Sequence, residues 1–573
     1  MSTHFNTLRQ PSKKPKKIKK YGVFDIEGRD WIHFLGVVAY SKYPDTLKIY
    51  NHKQNTGMKD LIKWMFSDEN EIDLWFAHFG GGYDFLFLLK DIGYFLDIFV
   101  EDIIMLGSSF MSFNLCQYDT VTKKDFKKFK GKKKILGDNY LVIQRKISFK
   151  DSGKMLPFSL DNLSKNFDVT HKKLDEDAGS LTEWTPKVEK YCVYDCMALY
   201  EVLEKYFTNE LIVKAGAKFT TASQSMAFFK TTLGDREIPS LNEELDSFVR
   251  KSYFGGRTEI YKPVFDGDDD NYLNYYDINS LYPSVMIDNV YGYYPARKNI
   301  KELDDNYISF FDCEVDVPKD LFIGPLPTRT EINKMVKTVF PVGRFRGYWS
   351  TIELENAMKY GVKINKVYKS KSFIKGDKIF KDVISYLYEK RLASDKNSVD
   401  DILSKLLMNS LYGKFGINRE KENLFPWSKE LYPDRYADYE IETDLGSLFF
   451  VKDDVYLEKT FSNVAIAAQV TSYARCRHYN DMMKLKDVYN TDTDSYWTTD
   501  TVKTSDGLGG VKLEDKIKRA CFLLPKTYAM DVVSELEKTT DTKTIVKMKG
   551  FAKTVREQFS YSDFVAALHG DMI

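Results

Sequence analysis

The chain begins its patterned part with a hydrophobic run, YGVFDIEG at 21–28, whose spacing reads as a strand. A helix-periodic stretch, VEKYCVYDCMALYEVLEKYF, closes the same region near residue 210. Strand and helix in that order predict an α/β domain over 21–210, with acidic residues at the ends of its elements. From about 250 to 500 aromatic-rich strands alternate with helices, of which VDDILSKLLMNSLYGKF is the most regular. The last 70 or so residues read as a small α+β unit. Neither a repeat nor a long low-complexity run interrupts the pattern.

Length then sets the scale, because 573 residues exceed one ordinary core and call for several domains. No stretch approaches the roughly 20 apolar residues that a membrane span needs. The first 20 residues are charged without a following apolar region, so they are not a secretory signal, and the chain is expected to stay in the cytoplasm of its cell. Six scattered cysteines without CxxC pairs suit a reducing compartment, free thiols and no zinc site.

A net charge of +1 lends no support to nucleic-acid binding by the chain as a whole. Two local clusters change that picture. Lys13, Lys14, Lys16, Lys17, Lys19 and Lys20 crowd a proline-containing stretch, which reads as a disordered basic tail over 1–20. KKDFKKFKGKKK at 123–134, with Gly131 as a turn, reads as a basic hairpin, either touching phosphates or merely exposed.

The strongest candidate chemistry lies in VYNTDTDSYW. Asp492 and Asp494 stand two apart beside a turn, flanked by strand-favouring residues, so both carboxylates are expected on one face of a hairpin tip, where a hard divalent cation would neutralise them. By itself such a turn is an ordinary polar loop. YYDINSLYPS supplies a partner, Asp277, at the end of a strand, and two separated carboxylates are what two-metal phosphoryl transfer requires. In KLLMNSLYGKFG, Lys405, Asn409 and Tyr412 fall on one helical stripe, with Gly413 leaving room for close approach. Lys405 would grip phosphate and Tyr412 would offer a stacking surface.

A second set of acids lies upstream. Asp25 and Glu27 form a strand-borne pair, Asp84 sits in HFGGGYDFLFLL, and Tyr191 and Asp195 share a helical face. Four carboxylates from separate elements can hold two metals and activate water against a phosphodiester.

DINSLYPS, KLLMNSLYGKFG and DTDS, in that order, resemble motifs A, B and C of family B DNA polymerases, and the upstream acids resemble the Exo I, II and III motifs of a 3′–5′ proofreading domain. The resemblance runs over roughly 21–570 and implies an RNase H-like exonuclease domain followed by a right-hand polymerase with palm, fingers and thumb. It implies Asp277 and Asp494 as metal ligands, Asp492 as an accessory acid, and Asp25, Glu27, Asp84 and Asp195 as ligands of a second metal pair. Two Mg²⁺ per active site are expected, with Mn²⁺ as an alternative. Tyr282 is implied to stack beneath the sugar and exclude a 2′ hydroxyl.

Shorter matches follow. SYFGGRTEIY resembles the YxGG element, which implies that Tyr253, Gly255 and Gly256 direct the primer end between the two sites. Thr471 and Arg475 in TSYAR resemble a template contact, and Lys526 and Tyr528 in LLPKTYAM resemble a primer contact. DSGKMLPF resembles a strand-binding element with Gly153 in place of Leu, which leaves Ser152. Lys173, beside its rival Lys172, matches a lysine that supports the exonuclease site of protein-primed enzymes. Two departures stand out: the Exo II asparagine is absent around His78 and Phe79, and the motif C tyrosine is one residue early, at Tyr489.

The small size resembles the protein-primed enzymes of linear-genome phages and linear plasmids. That subgroup implies template and primer DNA, dNTPs and a terminal protein as partners, strand displacement, and a monomer or a heterodimer with the terminal protein. It also implies palm and fingers over 211–500, insertions near 300–370 and 417–460, and a thumb over 501–573 that is reduced or cut short. A conventional DNA-primed polymerase, a nuclease with a decayed polymerase half and a noncatalytic DNA-binding factor are the other readings. Motif completeness argues against the last two.

Overall fold

The computed structural model describes residues 7–29, 33–106, 109–174, 182–268, 271–332, 334–426, 436, 439–443, 446–456, 460–533, 542–551 and 553–570. Its first half is built on a mixed sheet whose order is Asp45–Asn51, His33–Lys42, Gly22–Arg29, Leu74–Ala77, Asn139–Asp151, Ser109–Val121, Ile98–Leu106, with Lys133–Leu136 beside Asn139–Asp151. Gly22–Arg29 runs antiparallel to His33–Lys42 and parallel to Leu74–Ala77. Because successive side chains on a strand point to opposite faces, this central strand serves two cores. Phe24 and Ile26 pack with Leu61 and Phe85 on one side. Val23 packs with Cys192 and Leu199 of the helix Pro186–Thr208 on the other. Asp25 and Glu27 share the parity of Val23 and so look toward that helix.

The second half centres on an eight-stranded sheet in the order Thr258–Ile260, Asn490–Asp492, Ser495–Thr498, Leu273–Ile278, Val511–Leu524, Thr527–Val533, Thr542–Met548, with Val264–Asp266 against Val511–Leu524. Helices Val399–Phe415 and Val464–Met482 bury Leu407, Leu411, Val470 and Ala474 with Tyr276 and Ile278 of that sheet. The same cluster continues through Met226 and Phe228 to Leu199, so one apolar core joins the two halves.

The stretches near 300–370 and 417–460 contain sheets separate from the two described above. Over 292–375 a four-stranded sheet (Gly292–Pro295, Lys363–Lys375, Tyr307–Val317, Gly343–Ser350) carries the separate hairpin Thr328–Ile332 and Met335–Val339. Glu420–Pro426, Gly446–Tyr456 and Tyr439–Thr443 make a three-stranded sheet, and much of the intervening chain lies outside the described residues.

Several sequence expectations need correction. Residues 7–20 are placed along the surface rather than left as a loose tail: Thr7 and Leu8 pair with Pro239 and Ile238, Leu8 is buried, and Arg9 meets Glu237. Residues 1–6 lie outside the described residues. The basic cluster is not a hairpin turning at Gly131: Lys123–Lys128 is a helix, started by Thr122, whose side chain accepts from the Asp125 N–H. Lys132 and Lys134 are taken up by Glu101. Finally, the segment read as a thumb gives three strands to the central sheet, because Val511–Leu524 pairs directly with Leu273–Ile278.

Candidate active sites

In the N-terminal half the helix Asp84–Lys90 starts where the glycine turn Gly80–Gly82 ends, which points Asp84 back at the central strand. Its Oδ1 accepts the Ile26 N–H at 3.0 Å, fixing it between Asp25 and Glu27. Tyr191 and Asp195 stand one helical turn apart on Pro186–Thr208, and Lys173 donates to both, at 2.6 Å to the Tyr191 hydroxyl. Lys173 rather than Lys172 is therefore the lysine of this site; Lys172 donates to the Ser164 carbonyl at 2.9 Å.

Four acids at close quarters, with Glu27, Asp84 and Asp195 buried and Asp25 partly so, cannot all keep a charge. Burial first, then Asp195, pushes Asp25 up to about 7, against the pull of Lys173. Burial and Asp25 push Glu27 up to about 9. Asp84 is raised by burial and Asp25, and Asp195 by burial. The Oδ1 of Asp195 is buried without a hydrogen-bond partner. A set of hard oxygen donors with an orphaned oxygen fits divalent cations, which would restore the charged forms. Cys192, which sequence reading missed as a neighbour of the site, donates to the Asp25 carbonyl at 3.4 Å, and its sulfur lies with the Asp25 and Glu27 oxygens within 4.8 Å of one another.

In the C-terminal half, sheet register brings the motif acids together. Asp277 pairs with Ser495 and Lys512, and the Ile278 N–H donates to the Asp494 carbonyl at 2.8 Å. Asp492 and Asp494 do not share a strand face as expected. The strand ends at Asp492, Thr493 turns with φ +69°, and Asp494 lies in the turn. Burial and then Asp494 raise Asp277 to about 7, and Glu514 adds to this while Lys405 and Lys512 oppose it. Asp494 is also raised by burial. Asp277 and Asp494 thus form the pair that fits a cation, with Glu514 as an acid the motifs did not announce.

Lys405 and Asn409 line a cavity of about 580 Å³ with Arg391, Lys396, Asn279 and Ser280. Tyr412 and Tyr282 stack with ring centroids 4.5 Å apart at the mouth of the same helix stripe. A Cβ on Gly413 would meet nothing within 4 Å, so that face of the helix is open.

Other expected contacts are placed differently. Asp492 is taken by Lys526 at 2.6 Å, which pins the turn between Val511–Leu524 and Thr527–Val533 onto the Thr493–Asp494 turn. Tyr528 is buried against Trp497 and Phe522, and Tyr489 packs edge-on to Phe265. Thr471 is buried and donates to the Ala468 carbonyl. Arg475 is a buried ion pair with Glu353 at 2.7 Å, and it donates to the carbonyls of Phe254 and Gly255. It acts on the YxGG segment and is too deeply buried to lie along a template. Ser152 is fully buried, bonded to His78 and to the Ala77 carbonyl, so it shapes the wall of the site from behind. Gly255 is open to solvent, whereas Gly256 lies under Thr493: a Cβ there would stand 2.6 Å from the Thr493 Cγ2. Tyr253 covers Gly416.

With this geometry in view, residues 171–490 match the model for "DNA polymerase type B, organellar and viral", more than half of the chain. The chain belongs to that family. A probable DNA polymerase of Ascobolus immersus is 30% identical over 80% of the chain and 43% of its own length, and one of Podospora anserina is 26% identical over 93% and 53%. The chain thus spans about half the length of these fungal relatives. The DNA polymerase of Bacillus phage M2 is 27% identical over 76% of the chain and 77% of its own length. In fold the family member resembles Phi29 DNA polymerase complexed with primer-template DNA, with a TM-score of 0.72 at 21% identity, covering 96% of this chain and 95% of that one. Among the described residues no helix is long and apolar enough to cross a membrane.

Proposed function

We propose that the chain is a DNA-directed DNA polymerase with a 3′–5′ proofreading exonuclease, and that it starts synthesis from a hydroxyl on a terminal protein. The observation that carries the first part is the junction of Asp277 and Asp494 by sheet register beside the Lys405 cavity, in a chain of this family. Divalent cations held by that pair would lower the pKa of a primer 3′ hydroxyl and neutralise the triphosphate. Lys405 grips the phosphates, Asn409 and the Tyr412–Tyr282 stack frame the base and sugar, and Tyr282 crowds the 2′ position. Solved complexes of the Phi29 enzyme with primer-template DNA and incoming nucleotides support these partners.

At the other site Asp25, Glu27, Asp84 and Asp195 would hold the cations. Lys173 keeps Tyr191 and Asp195 aimed at the scissile phosphate. Extension of a labelled primer with Mg²⁺ tests the assignment. Asp277→Ala or Asp494→Ala removes extension and spares excision, and the Asp25→Ala/Glu27→Ala pair does the reverse. Extension by either of the first two variants at the unaltered rate would refute it. Protein priming is tested by incubating the chain, labelled dNTP and a terminal protein from the same genome. Normal extension of a DNA primer without protein labelling would favour the DNA-primed alternative.

A further inference from the structure

The segment Lys251–Arg257, which joins the two halves, is not part of any sheet until Thr258, so its carbonyls need partners from elsewhere. Two guanidinium groups supply them. Arg475 takes the carbonyls of Phe254 and Gly255, at 2.6 and 2.9 Å. Arg329, on the hairpin Thr328–Ile332 and Met335–Val339, takes those of Lys251 and Tyr253, at 2.7 and 2.6 Å, with its guanidinium 4.2 Å from the Phe254 ring centre. The chain flanking this hairpin grips the segment again, through the Gly324 carbonyl, which accepts from Arg257, and Phe340, whose ring lies 3.6 Å from the Arg257 guanidinium.

The far end of the segment touches the polymerase turn. The Thr493 N–H donates to the Arg257 carbonyl at 2.7 Å, and Gly256 lies in van der Waals contact beneath Thr493. Asp494 is the next residue. The hairpin is therefore tied to the turn that carries Asp494 by the Arg329 hydrogen bonds at Lys251 and Tyr253, the covalent chain from Phe254 to Arg257 that Arg475 holds, and the Thr493–Arg257 hydrogen bond.

We infer that Arg329 is a positioning residue for the polymerase carboxylates, and that the hairpin is an arm whose seating on Lys251–Arg257 sets how firmly the Thr493–Asp494 turn is held. The hairpin suits such a part. Among the described residues it pairs with no other sheet, and Ile332, Met335 and Val336 are exposed, so a protein surface pressing on this apolar tip would act on the segment through Arg329. A fork donating to two carbonyls two residues apart also explains an arginine there, since a lysine presents a single charged point.

Amide hydrogen exchange of the full chain tests this without reliance on any activity. Arg329→Ala should speed exchange about tenfold at Tyr253, whose N–H donates to the Arg250 carbonyl, and at Thr493, the scale of losing a charge-assisted hydrogen bond, and leave the Gly22–Arg29 strand unchanged. Arg329→Lys should fall between. Resting on the polymerase reading, the second arm measures extension. Arg329→Ala should raise the Mg²⁺ concentration for half-maximal extension and the KM for primer-template about tenfold, with little change in single-strand excision. Unchanged exchange at Thr493 overturns the inference, and so does a parallel rise in exchange or parallel loss of activity in both halves, which would make Arg329 a general folding residue. Absence of extension in the unsubstituted chain would instead sink the polymerase assignment, while the exchange result still decides the role of Arg329.

Discussion

Asp492 shows how much a single neighbour decides. It shares its motif with Asp494, yet Lys526 holds its carboxylate at 2.6 Å, so it is a strut of the turn before it is a ligand. Gly256 is the counterpart on the other side of that turn. A methyl group there would overlap Thr493, and neither backbone has room to retreat, since Thr493 is bonded to Arg257. Gly256→Ala should therefore shift Asp494 and lower the rate of extension about a hundredfold, the usual consequence of misplacing a reacting group by about an ångström. Primer-extension kinetics at saturating Mg²⁺ would read this, with single-strand excision as the internal control. Deeper in the same half, Glu353 and Arg475 form an ion pair with almost no exposure of either partner. Glu353→Ala leaves a buried guanidinium unpaired and should cost about 3–5 kcal/mol, seen as a lowered denaturation midpoint.

Among the elements, the helix Val399–Phe415 separates its roles by face. Ile402, Leu407, Met408 and Leu411 enter the core, while Lys405 and Asn409 are exposed to the cavity. Lys405→Ala should raise the KM for dNTP by about tenfold or more, as one charge-assisted contact to phosphate is removed, with a smaller fall in kcat; steady-state kinetics on a fixed primer checks it. This helix was legible from periodicity alone, as were the strand bearing Asp25 and Glu27 and the helix bearing Tyr191 and Asp195. In each case the chemical residues sit at fixed intervals on one regular element. What the sequence concealed depends on contacts between elements far apart in the chain. Arg475 reads as a cation available to DNA until Glu353, 122 residues away, is seen to bury it. Lys526 reads as an unpartnered cation until the hairpin that carries it is paired into the sheet and brings it to Asp492, 34 residues away. The strands of 511–533 read as a separate tail because nothing local in them announces pairing with Leu273–Ile278.

For the whole molecule, both acid clusters place the same charge stress on the fold, and it has a definite pH signature. Asp25 and Asp277 titrate near 7 and Glu27 near 9, whereas the unfolded chain releases these protons near 4. Between those limits the folded state binds more protons than the unfolded one, so linkage makes the cation-free protein less stable as pH rises from about 4 through 7 and on toward 9. His78 and His478 act oppositely. Burial holds both near 4, so the unfolded chain binds their protons first and stability rises with pH up to about 6.5. The two trends blur in a single melting curve, but a difference with and without cation singles out the groups that bind it. Mg²⁺ at the carboxylates favours their charged forms and relieves only the acidic term. The rise in melting temperature on adding Mg²⁺ should therefore be small at pH 5 and grow steadily to pH 8. In a chain carrying Asp25→Asn, Glu27→Gln and Asp277→Asn it should be small at every pH. A rise that does not vary with pH in the unsubstituted chain would mean that Mg²⁺ binds elsewhere and that the clustered acids are not its site.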